Sequence, residues 1–282
     1  MGNPVTANAA LPPLHAPFVG GDVLTLHREL RHIIEDAIVT QPRSLQKRIG
    51  PSEIGTPCDH CLAAKLAGWQ IAEGVGWLPF IGTCVHAWLE EMFIQRENAA
   101  NTVHTTGRRF LAEQSVMVGH IAGEEIWGST DLFDTTTGTT VDWKVVGATR
   151  LRSAKAGPEP AYKAQAHLYG RGWVNAGYRV EHVSIVYLPR NSINGWDDAV
   201  LWHEPYDEQV ATTALDRANR ITTNLTALAA LGPDAVTAWI SGLPRAPRCH
   251  DCPRFPDGTH LTPPGHRPRG DDFADLLGST AA

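Results

Sequence analysis

The amino-acid sequence predicts an α/β fold, a mixed central sheet flanked by helices, with a cysteine-tied metal-binding lobe. Three observations carry this prediction. A helical stretch is followed by three short strand-like runs and then by helix, strand, strand and helix, an order that suits a mixed sheet covered by helices. The 43% apolar content of 282 residues suffices to bury a full core in one elaborated domain. Two Cys-x-x-Cys pairs, Cys58 with Cys61 and Cys249 with Cys252, each have ligand spacing for a tetrahedral metal.

Each element has its own signal. Residues 1–21, rich in Pro, Ala and Gly, read as a disordered arm. Leu24, Leu30, Ile33, Ile34 and Ile38 recur at helical spacing from Val23 to Val39. Ser52 and Glu53 open a turn-rich segment that leads into Cys58 and a short helix to about Trp69, and a stronger helix runs from about Phe80 to Arg96. Glu113–His120, Ile126–Phe133 and Thr139–Val146 are strand-like runs separated by turn residues, as in an antiparallel meander. A helix from Pro160 to Ala176, strands from Val180 to Leu188 and near Ala199 to His203, and a long helix from Tyr206 to Ala230 complete the order. Residues 22–252 then form the domain, and 253–282 a flexible tail dominated by Pro, Arg, His and Gly.

Composition narrows the function classes. No stretch supplies the roughly 20 uninterrupted apolar residues of a membrane span, because His86, Glu90 and Glu91 interrupt Leu78–Ile94. The N-terminus lacks a basic start followed by an apolar run, so a cytoplasmic location is expected, that of a host cell if the gene is carried by a phage. A net charge of -6 argues against a protein that coats nucleic acid through charge alone, yet it suits one whose acidic residues hold metal ions. Arg43, Lys47 and Arg48, and separately Arg150, Arg152 and Lys155, are two candidate basic surfaces, with solvated loop charges as the plain alternative. The nine tryptophans, Trp69, Trp77, Trp88, Trp173 and Trp196 among them, could stack on unpaired bases, although most read as core.

Asp142-Trp143-Lys144 lies near the end of an apolar strand, and Asp131 lies in the strand before it. Pairing of those strands brings the carboxylates together as hard oxygen ligands for Mg²⁺ or Mn²⁺, with a lysine beside them to orient water or to stabilise charge on a phosphate. His86 and Glu90, four residues apart, share one face of the preceding helix, and Gln165 and Tyr169 share one face of the following helix, with Tyr162 ahead of them. Taken singly, each has a bland reading: a chance triplet, a core histidine, a polar helix edge. Their order in the chain is what raises them above it.

Gly82, His86, Glu90, Asp131, Asp142, Lys144, Gln165 and Tyr169 together resemble the motif series of the RecB-like branch of the PD-(D/E)xK nuclease superfamily, particularly the CRISPR-associated RecB-like exonucleases and their phage relatives. The resemblance spans roughly Ser52 to Cys252. It implies a restriction-endonuclease-like core and a metal-dependent deoxyribonuclease in which His86, Asp131, Asp142 and the Trp143 carbonyl bind Mg²⁺ or Mn²⁺. Lys144 then assists the attacking water, and Gln165 and Tyr169 support the site. Glu113 is an outer-ligand candidate on the strand before Asp131. The implied substrate is DNA, single-stranded or at duplex ends, in recombination, repair or phage genome processing, with recombination or replication proteins as partners.

The four cysteines accept either a zinc ion or a [4Fe–4S] cluster, since both take four thiolates. The resemblance leans toward iron and sulfur, although the two-plus-two division of the cysteines departs from the family's one-plus-three and also occurs in structural zinc sites. Either would clip the C-terminal segment onto the region before the core. Cys84 reads as a packed thiol. The alternative to catalysis is a non-catalytic nucleic-acid-binding or assembly module stabilised by the cysteine metal site.

Overall fold

The computed structural model describes residues 22–40, 49–69, 76–101, 107–247, 249 and 251–255. The arm over 1–21, the basic group Arg43, Lys47 and Arg48, and the tail beyond Phe255 lie outside the described residues. The chain divides into two compact units, residues 1–45 and 46–282.

The first unit contains helix α1 (Val23–Val39). Asp22 sets its start: the carboxylate accepts hydrogen bonds from the backbone N–H of Leu24 and Thr25 at 3.3 and 3.0 Å, satisfying two donors that the first helical turn leaves unpaired.

The second unit holds the sheet. Its elements are α2 (Pro51–Ile54), α3 (Asp59–Leu66), α4 (Trp77–Asn101), β1 (Phe110–Ile121), β2 (Glu124–Asp134), β3 (Thr139–Val146), α5 (Ala148–Ala154), α6 (Pro160–Asn175), β4 (His182–Pro189), β5 (Val200–Pro205), α7 (Glu208–Ala229) and α8 (Pro233–Ser241). The five strands lie side by side in sequence order. β1, β2 and β3 form the expected antiparallel meander. β3 and β4 pair in parallel, a connection that needs a crossover, which α5 and α6 provide. β5 closes the far edge antiparallel to β4. The sheet is therefore mixed and flanked by helices, as the sequence predicts.

Alternation along the strands divides the core. On one face Leu89 and Phe93 of α4 pack with Ala112, Leu132, Trp143 and Val186, and Phe93 stacks on Trp143. On the other, Val116, Val118 and Phe133 meet Leu168 and Trp173 of α6, with the Phe133 and Trp173 rings stacked 4.4 Å apart. Gly172 permits this close approach, because a Cβ there would stand 2.3 Å from Val116 Cγ2. β4 is buried almost continuously from Val183 to Tyr187, as befits a strand covered on both faces, whereas β5 alternates in the manner of an edge.

Some elements depart from expectation. α5 and α8 have no counterpart in the sequence reading: each is short, and α8 begins at Pro233 within Gly-Pro punctuation that suggests a loop. Cys84 is exposed rather than packed. Trp69, Trp143 and Trp173 are buried, but Trp77, Trp88, Trp127 and Trp196 are exposed, which corrects the expectation that most tryptophans are core. Among the described residues no helix is long and apolar enough to cross a membrane.

Candidate active site and cysteine cluster

The polar residues singled out in the sequence converge from five elements. Asp142 and Lys144, two apart on β3, share the sheet face that looks toward α6. The Lys144 ammonium lies 2.7 Å from Asp142 Oδ2, donates to Gln165 Oε1 at 3.1 Å, and stands 4.8 Å from the centre of the Tyr162 ring. One helical turn further, Gln165 Nε2 donates to the Tyr169 hydroxyl at 2.9 Å. Gln165 is 6% exposed, so these hydrogen bonds are shielded from water.

β2 and α4 supply the other half. Asp131 Oδ2 accepts the Trp143 backbone N–H at 2.7 Å, tying β2 to the Asp-x-Lys segment where their ladder ends, and Asp131 Oδ1 lies 3.2 Å from His86 Nδ1. β1 adds Glu113, which the register places opposite Asp131, between the pairs Ala112 with Leu132 and Gln114 with Thr130. Ligand atoms of His86, Glu113 and Asp131 all lie within 4.8 Å of one another. Glu113 has φ 46°, a left-handed conformation that costs a non-glycine residue of order 1–3 kcal/mol, and its carboxylate accepts from Ser129 Oγ at 2.8 Å. In the sequence Glu113 stands only as an outer-ligand candidate, since a strand glutamate is usually solvated. Glu90 stays outside the cluster but is near enough for its charge to act on Glu113.

The electrostatics suit a cation. Burial, reinforced by Asp131, pushes the Asp142 carboxyl up to about 6 against the opposing pull of Lys144 and His86. Burial also raises Glu113, with Asp131 and Glu90 adding repulsion while the Ser129 hydrogen bond and His86 oppose it. Burial works against the charge on Lys144, yet Asp142 and Asp131 outweigh it and hold the ammonium above the ordinary lysine value. Carboxylates packed this closely repel one another, and a divalent cation among them removes that cost. Three oxygen-bearing side chains with one imidazole make a donor set that Mg²⁺ or Mn²⁺ accepts.

The basic surface on α5 is smaller than expected. Arg150 is ion-paired with Glu159, while Arg152 and Lys155 are exposed.

The cysteine pairs meet at the start of α3. Cys58 Sγ lies 3.4 Å from Cys252 Sγ, Cys61 Sγ lies 3.5 Å from both Cys249 and Cys252 Sγ, and all four sulfurs fall within 4.8 Å of one another. This grouping forms the expected lobe, which can hold a metal. The His60 N–H also donates to the Pro244 carbonyl, so backbone as well as sulfur ties the C-terminal segment to α3. Burial pushes the Cys61 thiol far up and Cys252 to about 12; at Cys58 burial acts the same way but backbone N–H groups of Ala246 and Cys61 prevail and lower it. His60, fully buried, has Nδ1 3.9 Å from Cys61 and Cys252 Sγ, and Nε2 3.4 Å from an Arg245 guanidinium nitrogen. A guanidinium only donates, so Nε2 accepts and the neutral ring carries its proton on Nδ1, facing the sulfurs.

No family model matches the chain, and no curated protein matches it. Solved structures with a similar course of chain include an alkaline exonuclease (LHK-Exo) from Laribacter hongkongensis, at 11% identity and TM-score 0.39, covering 70% of this chain and 91% of that one. SSO0001 aligns at 16% identity and TM-score 0.41, covering 72% and 87% respectively. A phage-related exonuclease from Haemophilus somnus 129PT aligns at 14% identity and TM-score 0.36, covering 60% and 80%.

Proposed function

We propose that the chain is a metal-dependent DNA exonuclease that hydrolyses phosphodiester bonds, acting in recombination, repair or phage genome processing. The observation that carries this reading is the convergence of His86, Glu113 and Asp131, with Asp131 and His86 near enough to act on the charge of the Asp142–Lys144 pair, and with Gln165 and Tyr169 bracing the lysine. His86, Glu113, Asp131 and Asp142 would hold Mg²⁺ or Mn²⁺, with the Trp143 carbonyl as the further ligand that the family resemblance implies. When bound, the ion supplies positive charge for phosphate oxygens and makes a water molecule more acidic.

The protein's own groups do the positioning. Lys144, held charged by Asp142, offers N–H donors toward the attacking water or the phosphate, where negative charge grows during displacement. Gln165 fixes the ammonium on one side and the Tyr162 ring bounds it on another, so the lysine meets its target without rearranging. Asp131 joins the two halves, since its carboxylate faces His86 with one oxygen and the β3 backbone with the other. The exposed Arg152 on α5, which follows β3 directly, and Lys155 at its C-terminal end offer phosphate contacts for the DNA strand.

The test is degradation of end-labelled linear single- and double-stranded DNA with Mg²⁺ or Mn²⁺ by the wild type, Asp142→Asn and Lys144→Ala. Cleavage from the ends by the wild type, lost in both folded variants, is expected. DNA binding with no turnover under either metal would replace this reading with the non-catalytic one.

A further inference from the structure

The family resemblance implies a [4Fe–4S] cluster at the four cysteines, and the sulfur geometry disagrees. A cubane cluster bonds each thiolate to a different iron of an eight-atom body, so that body separates the four ligand sulfurs from one another. Here Cys58, Cys61 and Cys252 stand in sulfur-to-sulfur contact at 3.4 to 3.5 Å, and no pair of the four exceeds 4.8 Å. A single Zn²⁺ at about 2.3 Å from each sulfur sets them about 3.8 Å apart at the corners of a tetrahedron. An outward shift of a few tenths of an ångström would admit that ion, whereas a cluster would require the lobe to open.

The surroundings resist such opening. Cys58 and Cys61 lie in the same buried cluster as Ile54, Leu62, Trp69 and Phe255, each 8% exposed or less. His60 fills one side with its ring edge-on to Trp69 and Phe255, and its Nδ1–H faces Cys61 and Cys252. The Ala246 and Cys61 backbone N–H groups hold Cys58. Two Cys-x-x-Cys pairs, with the sulfurs gathered by backbone and ring N–H donors, make a closed four-sulfur site with no position left open for substrate.

We propose that the four cysteines hold one tetrahedral zinc ion in place of an iron–sulfur cluster, as a structural clip between α3 and the segment after α8. The experiment expresses the full chain in medium supplemented with both iron and zinc, purifies it without oxygen, and measures zinc, iron, acid-labile sulfide and visible absorbance. One tightly held zinc per chain is expected, in a colourless protein without sulfide. The same zinc should remain in Cys84→Ser, which removes the exposed thiol, and in His86→Ala, which disrupts the separate oxygen and nitrogen site. Stripping the wild type with a strong chelator should lower its melting temperature, and zinc, but not ferrous iron with sulfide, should restore it. A brown protein absorbing near about 400 nm with iron and sulfide in equal number overturns the proposal. So does a chain that keeps its melting temperature with no metal at the cysteines.

Discussion

Gln165 touches no ligand atom of the candidate metal site, yet it joins Lys144 to Tyr169, so its contribution should be visible only through the lysine. Gln165→Leu keeps the bulk of the side chain and removes both hydrogen bonds. A hydrogen bond to a charged group contributes about 1.5–3 kcal/mol, and added apolar burial offsets roughly 1 kcal/mol of that loss. With about 0.5–1.5 kcal/mol more for the neutral bond to Tyr169, the folded state should lose about 1–3.5 kcal/mol, lowering the melting temperature by about 2–14 °C for a chain of this size. Lys144 remains paired with Asp142, but its position is no longer fixed from the α6 side. Misplacement of a catalytic group by about 1 Å can cost about 100-fold, so kcat should fall by about 10- to 100-fold. Lys144→Ala, which removes the donor, should cost about 100- to 1000-fold. The deciding assay is single-turnover digestion of end-labelled DNA by wild type, both single variants and the double variant. If Gln165 acts through Lys144, the double variant should match Lys144→Ala, because nothing remains to be positioned. A Gln165→Leu defect of equal size with and without the lysine would refute this reasoning and assign Gln165 a contact of its own.

Glu113→Gly should relieve the left-handed backbone, leaving stability unchanged or raised by up to about 1 kcal/mol, while metal-dependent cleavage falls at least about 10-fold; a thermal melt beside a nuclease assay checks the opposite signs. Gly172→Ala should destabilise by about 1–3 kcal/mol in chemical denaturation, because the new methyl group would stand 2.3 Å from Val116 Cγ2 and 2.8 Å from its Cβ, near no flexible chain end. Arg109 donates to both Asp134 carboxylate oxygens at 2.9 and 3.1 Å, and this, despite partial burial and with help from Thr137 and Thr136, holds the carboxyl below its ordinary value. A depressed value stabilises the fold above the unfolded-state value of about 3.9 and loses that effect as pH falls through the lower folded-state value. Wild type should thus be more stable than Arg109→Ala at pH 7, by a margin kept small by the half-exposed arginine, and melting curves should draw together as pH falls below about 4.

The parts of the site that were legible in the sequence obey local periodicity. Asp142 and Lys144 share a face because strands repeat every two residues, and Gln165 and Tyr169 share one because helices repeat at nearly four. The spatial meeting of those pairs follows from the order of elements, since a parallel β3–β4 pair forces α6 to cross over the strand that carries Lys144. Helix α4 shows where periodicity stops informing. It is apolar around most of its circumference, so the pattern names no buried side, and Cys84 and Trp88 could be assigned to the core although both face outward.

Glu113 shows a different limit. Strand alternation and register place it opposite Asp131, but its left-handed backbone breaks the β geometry on which alternation rests. A residue in that conformation carries no sequence mark unless it is glycine, and the burial that raises its carboxyl opposes its charge as well. Strained backbone and crowded carboxylates both disfavour the protein without a cation, and both become tolerable if Glu113 is a metal ligand. Local rules fail here at a position where two independent energetic costs share one functional remedy, which makes Glu113 a stronger ligand candidate than its sequence context alone allows.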